Sequence, residues 1–292
     1  MSDPYAGPPR ILVGVDGSAD ALRAVKLAGV EAVSRGAELV LVCAVDDTAV
    51  NNGWGVVYDT DEIENEAKAT IHEAAELARG LGVPTEKLRA EVMLGDPVTV
   101  LSSLSAHASA LVVGRRATTG ERRTVGSTSV GVVASAHSPV ILVASDAGDP
   151  TQSELRDVIG VALGPRGRSS AALDWAVNEA SRRGSRLVVI TVVREATGLF
   201  RGQGVPVSKR DEVVRRIAEE TNAALEPIRE AHPEVQIDVE TAFGQPVEIL
   251  HDWSAKLDAL VLSVHLDFPT YTVGSTIRGL MAHAECPLVL LR

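Results

Sequence analysis

Two short stretches of the chain place chemistry-bearing residues next to glycine. Gly14-Val15-Asp16-Gly17-Ser18 closes an apolar run with a carboxylate in front of a glycine. A carboxylate there can accept hydrogen bonds from ribose hydroxyls or an exocyclic amine, or it can cap the helix that follows, a task equally open to Ser18. A second apolar run ends Val113-Gly114-Arg115-Arg116-Ala117, and after a loop Gly126-Ser127-Thr128-Ser129 leads into a helical stretch, Val130 to Ala136. A glycine followed by hydroxyl residues at a helix start offers uncommitted N–H groups, small side chains and the positive end of the helix dipole, which suits phosphate. Plain N-capping is equally grammatical. Arg115, Arg116, Arg122 and Arg123 crowd cations into this loop, as an anion attractor, a solvated loop or a subunit contact.

Other chemistries find little support. The histidines, at 72, 107, 137, 232, 251, 265 and 283, are dispersed and no pair has helical metal-ligand spacing with a carboxylate, so metal binding by the protein alone is not expected. His72 is expected on the exposed side of its helix, and His137, before Ser138-Pro139, in a turn. No Ser sits in G-x-S-x-G after a strand. Gly120 to Ser127 lacks the P-loop lysine and spacing, and no G-x-G-x-x-G follows a strand. Cys43 and Cys286 lie inside apolar runs, where buried reduced thiols are expected rather than a disulfide or redox pair. The net charge of −11 and pI near 5.2 argue against sequence-independent nucleic-acid binding, which needs a basic face. Residues 1–10, with Pro4, Pro8 and Pro9, have no apolar core of a signal peptide. No apolar run approaches the ~20 residues of a membrane helix. A cytoplasmic, soluble protein is expected.

The elements that would position these residues are written twice. Gly95-Asp96-Pro97-Val98-Thr99-Val100-Leu101 returns as Gly244-Gln245-Pro246-Val247-Glu248-Ile249-Leu250, and Gly126-Ser127-Thr128 as Gly274-Ser275-Thr276. Self-similarity of this kind marks a duplicated domain, here 8–145 and 155–292, joined by the Asp-, Gly-, Pro- and Ser-rich stretch 145–154. In the first copy, strands are expected at Ile11–Val15, Leu39–Val45, Leu88–Met93, Ala110–Gly114 and Val140–Ala144. Between them lie amphipathic helices, clearest at 61–81, with a second-copy counterpart at 211–229. With 45% hydrophobic but only 3% aromatic residues, the core must be aliphatic, as in buried parallel strands. The fold class expected is therefore α/β: tandem doubly wound, Rossmann-like domains, each a five-stranded parallel sheet with helices on both faces. Ligands in such folds sit beyond the carboxyl ends of the strands at the switch point.

In this order and register, Val13-Gly14-Val15-Asp16-Gly17-Ser18, Leu111-Val112-Val113-Gly114-Arg115-Arg116, Gly126-Ser127-Thr128-Ser129 and His137-Ser138-Pro139-Val140 resemble the universal stress protein family, in its tandem-domain form, over nearly the whole chain. The resemblance implies an adenine-nucleotide-alpha-hydrolase-like fold and, in nucleotide-binding members, adenosine held after the first two strands with a G-x2-G-x9-G-[ST] loop around the ribose and phosphates. It would give Gly14, Val15 and Asp16 to the nucleoside, Val45 backbone to adenine, and Val113, Gly114, Arg115, Arg116 and Ala117 to the turn where the ribose approaches. Gly126, Ser127, Thr128 and Ser129 would receive phosphate. Ala117 stands where the pattern has its second glycine, and eight residues, Thr118 to Val125, replace the usual nine; alanine resists positive φ.

The second copy lacks a carboxylate after Ile159-Gly160-Val161-Ala162-Leu163-Gly164, has Ser263 for Gly114, and carries His265, Asp267, Phe268, Pro269 and Tyr271 in the following loop. It is expected not to bind nucleotide in the family manner, although Gly274-Ser275-Thr276 could still hold a phosphate or sulfate. The loops 46–60 and 194–208, with Trp54, Tyr58 and Phe200, are expected to fold over the sheet ends as lids or partner surfaces. The reading that results is a stress-response sensor or regulator binding ATP, with Mg²⁺ carried by the phosphates, in the first domain. With no hydrolytic base in view, at most slow ATP hydrolysis is expected. The alternative is a nucleotide-free dimerisation and interaction module. The resemblance implies that the last strands, Val140 to Ala144 and Leu288 to Leu291, pair the two halves, and a homodimer is expected. The protein partner and the stress sensed have no signature in the residues.

Overall fold

The computed structural model describes residues 9–46, 60–116, 125–144, 156–164, 170–194, 206–267 and 272–292. The chain divides into two compact units, one of Met1–Ser153 with Leu266–Val273 and Arg292, the other of Glu154–His265 with Gly274–Leu291.

The first unit runs β1 (Arg10–Gly14), α1 (Ala19–Arg35), β2 (Glu38–Val45), α2 (Thr60–Gly80), β3 (Leu88–Leu94), α3 (Pro97–Ser105), β4 (Ala110–Gly114), α4 (Ser127–Ser135) and β5 (Val140–Val143). All its strand pairs are parallel, β3 on β2, β2 on β1, β1 on β4 and β4 on β5. The chain therefore leaves β1 in one direction and returns to its other side at β4. β1, β2, β4 and β5 form because Val, Leu and Ile fill them and both their faces are covered, whereas β3, with the sequence Leu-Arg-Ala-Glu-Val-Met-Leu, pairs with β2 alone and is half-buried or exposed. Ile11, Leu12, Val13, Leu39, Leu41 and Leu111 are all buried, as the aliphatic composition requires. The amphipathic pattern of α2 turns Ala67, Ile71, Ala74 and Ala78 inward, leaving His72 exposed.

The second unit repeats the plan with β6 (Val158–Leu163), α5 (Ser170–Arg183), β7 (Arg186–Arg194), α6 (Arg210–Ala231), β8 (Ile237–Gly244), α7 (Pro246–Ser254), β9 (Ala259–Ser263), α8 (Ser275–His283) and β12 (Leu288–Leu291). Its parallel pairs are β8 on β7, β7 on β6, β6 on β9 and β9 on β12. A short antiparallel pair, β10 (Leu266–Asp267) and β11 (Thr272–Val273), lies in the expected loop between β9 and α8.

Register aligns the copies residue by residue. Ile11 pairs with Leu39 and Ala110, and Ile159 pairs with Leu187 and Ala259. Gly14 thus corresponds to Ala162, Asp16 to Gly164, and Gly114 to Ser263.

Both cysteines are buried and free. Burial pushes the Cys286 thiol up to about 12, and burial, followed by the charges of Asp16 and Glu66, raises that of Cys43. Neither forms a thiolate near neutral pH, so they behave as small hydrophobes. Among the described residues no helix is long and apolar enough to cross a membrane.

Candidate functional site

The β1–α1 turn is built by two side chains with divided roles. Gly17 takes a φ of +76°, which lets the backbone reverse. Ser18, at the helix N-cap, accepts from the Ala21 amide at 3.1 Å. Asp16 accepts the Ser18 amide at 3.0 Å through Oδ1 and remains exposed. Of the two residues that could cap α1, Ser18 does so, and Asp16 stands at the rim beyond the strand.

At the tip of β4 the backbone is held from three sides. The Arg115 amide donates to the Val143 carbonyl of β5 at 2.8 Å. The Arg116 amide donates to Asp20 Oδ2 on α1 at 3.0 Å. The Gly126 amide donates to the Arg115 carbonyl at 3.0 Å, and Ser129 Oγ donates to the carbonyls of Gly114 and Arg115, at 2.8 and 3.3 Å. Gly114 is there for a packing reason. A Cβ on it would lie 2.7 Å from the Ala21 nitrogen and 2.8 Å from the Asp20 carbonyl carbon, so the close approach it permits is that of α1 itself.

Helix α4 begins at Ser127, three residues earlier than the sequence pattern suggests. Its N-cap, Gly126, supplies no side-chain acceptor for the amides of the first turn.

Between β1 and β4 these pieces enclose a cavity of about 90 Å³. Its walls are Gly14, Val15 and Asp16 from the β1 end, Ala21 from α1, and Val42 and Ala44 from β2. Pro97 and Leu101 of α3, Val113, Gly114 and Arg116 of the β4 end, and Gly126, Thr128 and Ser129 at the start of α4 complete it. Apolar side chains, a carboxylate and the start of a helix around one cavity suit a flat, weakly polar ring joined to an anionic tail. The volume is below the ~300 Å³ of ordinary small-molecule pockets, so these walls have room for only part of such a ligand.

The structure brings most of the expected residues together and moves some away. Val45 does not line the cavity, and its carbonyl accepts the Gly95 amide at 2.9 Å; Val42 and Ala44 take its place because alternate residues of β2 face that side. Arg115 is buried, 4% exposed, and Ser127 is outside the lining. The Ser129 hydroxyl proton is committed to β4, so it braces the helix start rather than donating to a ligand. Ala117, Arg122 and Arg123, the aromatic residues Trp54, Tyr58 and Phe200, and Phe268, Pro269 and Tyr271 lie outside the described residues. Sequence reasoning missed Asp20, which reads as an ordinary acidic residue in a first helical turn, and the wall formed by Pro97 and Leu101, which stood out only as a repeated motif.

The same positions of the second unit carry larger side chains. Val42 becomes Ile190, Ala44 becomes Val192, Val113 becomes Leu262 and Ser129 becomes Ile277, all of them buried. Gly14 becomes Ala162 and Gly114 becomes Ser263, while Asp16 becomes Gly164. Arg194 Nη2 donates to Thr276 Oγ1 at the start of α8, at 3.3 Å. Among the described residues, no group of three or more His, Cys, Asp or Glu is arranged to hold a metal.

Comparison with known proteins agrees with this duplicated architecture. A universal stress protein of Mycobacterium tuberculosis is 30% identical over 84% of this chain and 84% of its own length. One from Mycolicibacterium smegmatis is 28% identical, with 97% and 96% covered. Among solved structures, a universal stress protein from Archaeoglobus fulgidus superposes with a TM-score of 0.69 at 18% identity, covering 97% of this chain and 98% of that one, which bears on the fold. The family model described as "Universal stress protein family" matches twice, over residues 8–144 and 156–292. With both halves matched, the chain belongs to the universal stress protein family as a tandem-domain member.

Proposed function

We propose that the first unit binds an adenine nucleotide, ATP with Mg²⁺ carried on its phosphates, and that the protein acts as a sensor or regulator rather than a fast enzyme. The observation that carries this reading is the cavity at the switch point. There Asp16 and the start of α4, through Gly126, Thr128 and Ser129, line one cleft together with Val42, Ala44 and Leu101. Such a site can hold a base by its face, accept a ribose hydroxyl or amine proton on Asp16, and meet phosphate with the amides of Ser127 to Ser129. Thr128 can donate from its hydroxyl. When bound, Mg²⁺ would offset phosphate charge on a protein of net charge −11. The larger side chains in the second unit support one nucleotide per chain.

The test is to denature freshly purified protein, assay the supernatant for adenine nucleotide, and titrate the emptied protein with ATP. We expect binding in the wild type and a loss of ~1.5–3 kcal/mol in Asp16→Ala, as for a hydrogen bond to a charged group. A wild type that neither carries nor binds nucleotide refutes the reading. That result would favour the second one, a nucleotide-free interaction module, for which the cavity's small volume speaks.

A further inference from the structure

The tip of β4 joins the two ends of the proposed site. Asp20 and Ser129 are buried, 3% and 4% exposed. Neither hydrogen bond they make at the β4 tip is directed at a ligand. Asp20 Oδ2 takes the Arg116 amide at 3.0 Å, and Ser129 Oγ donates to the carbonyls of Gly114 and Arg115. The first of these ties residues 114–116 to the start of α1, the helix that follows Asp16. The second ties the same residues to the first turn of α4, whose amides meet the anionic end. The missing side chain of Gly114 lets α1 sit directly on this backbone, so α1 and the β4 tip have no slack between them. The second unit has Ile277 and Ser263 in place of Ser129 and Gly114, so the hydroxyl that fastens α4 to the β4 tip has no counterpart at residue 277.

We infer that Asp20 and Ser129 are positioning residues of one junction, which sets the first turn of α4 at the distance from Asp16 that a phosphorylated nucleoside requires. This rests on the reading of the cavity as a nucleotide site. The junction acts on the anionic end, because the walls at the nucleoside end, Gly14, Val15, Val42 and Ala44, belong to β1, β2 and the turn directly after them. Its signature is the ratio of ATP to adenosine affinity, which a residue serving stability alone leaves unchanged.

The experiment measures that ratio by calorimetry on the full chain for wild type, Asp20→Ala, Asp20→Asn, Ser129→Ala, Ser129→Thr and the double alanine variant. Ser105→Ala, outside the cavity lining and at the opposite end of α3 from Pro97, is the control for stability. Each single alanine variant is expected to lower the ratio about tenfold, in the range of a hydrogen bond involving a charged or buried partner. The double variant should fall within about twofold of either single one, because one junction breaks only once. Asp20→Asn and Ser129→Thr, which keep the acceptor and the donor, should recover most of the ratio. If Asp20→Ala does not fold, Ser129→Ala and the two conservative variants decide the matter. A wild type that binds both ligands, with alanine variants of unchanged ratio, overturns the junction and leaves the nucleotide site standing. Losses that multiply in the double variant overturn it too, since they report two independent contacts. A wild type that binds neither ligand removes the nucleotide reading and the junction with it.

Discussion

Gly114 illustrates how the absence of one methyl group sets the geometry of the candidate site. In the structure it is crowded by backbone atoms of Asp20 and Ala21, which cannot move aside as a flexible side chain would. Gly114→Ala is therefore expected to destabilise the first unit by ~1–3 kcal/mol, the usual cost of overpacking, seen as a lower urea midpoint with an unchanged slope. Unchanged stability would show that α1 can retreat from the strand. Cys286 gives a prediction of a different kind. Its thiol is held up to about 12 by burial, against an ordinary value of 9.0. Between those two values the unfolded chain loses a proton that the folded chain keeps, so unfolding becomes easier as pH rises. Each pH unit above 9.0 costs the native state up to ~1.4 kcal/mol from this group. Cys286→Ala should flatten the alkaline decline in stability relative to wild type, and parallel curves would show that Cys286 has no part in it. At this scale the sequence was informative about place and less so about purpose. Asp16 could be located at a strand tip from the glycine behind an apolar run. That Gly114 accommodates a helix, that Ser129 bonds to a strand, and that Asp20 is buried all depend on atoms distant in sequence, which no local pattern encodes.

At the scale of elements, the duplicated plan shows which local devices the fold uses in both copies. Ser105, at the end of α3, donates to the Ser102 carbonyl and accepts the His137 amide at 2.9 Å. Ser254, at the end of α7, donates to the His251 carbonyl and accepts the Glu285 amide at 2.9 Å. Each serine fastens a helix end to the turn before a core strand, so its replacement by alanine strands a backbone amide. Ser105→Ala and Ser254→Ala are each expected to cost ~1–3 kcal/mol in the unit that contains them, measurable by denaturant unfolding. The copies differ at the opposite end of these helices. Asp96 caps α3 by accepting the Thr99 amide and hydroxyl, both at 2.8 Å, and these bonds hold its carboxyl below the usual range. Gln245 occupies the same position before α7 with extended backbone and no side-chain cap. Gln245→Asp should stabilise the second unit by about 1 kcal/mol near neutral pH. A carboxyl depressed in the folded state contributes above its unfolded pKa, so the gain should fade as acid protonates the new cap. A variant no more stable than wild type would show that α7 cannot use it. The strands and long helices were legible from periodicity because buried parallel strands are nearly uniform runs and α2 and α6 each keep one apolar face. Helix starts were less so. The beginning of α4 fell three residues earlier than expected because Ser and Thr there look like cap residues when read singly.

Across the whole molecule, the two copies share one scaffold and differ in the side chains at the switch-point cleft. Both units need their sheet and helices, and both keep Pro97 or Pro246, Leu101 or Leu250, and the glycine at the start of the last helix. What changes is the set of side chains facing the cleft, which grow by one or more carbons at Ile190, Val192, Leu262 and Ile277 while the carboxylate of Asp16 is lost to Gly164. The added carbons stand at positions equivalent to those that line the first unit's cavity, and there they are buried in the second unit. If the first unit alone binds ATP, saturation requires one equivalent per chain, and only that unit is stabilised by mass action, by ~2.7 kcal/mol at a hundredfold excess over Kd. Hydrogen exchange resolves the two units within a single sample. On adding ATP, peptides spanning Gly14–Asp16 and Gly126–Ser129 should slow their exchange. Those spanning Ala162–Gly164 and Gly274–Ile277 should exchange as before, and Asp16→Ala should erase the protection in the first set. Protection in both sets with two equivalents bound would mean that Ile190, Val192, Leu262 and Ile277 yield to a ligand, and that the acidic rim is dispensable.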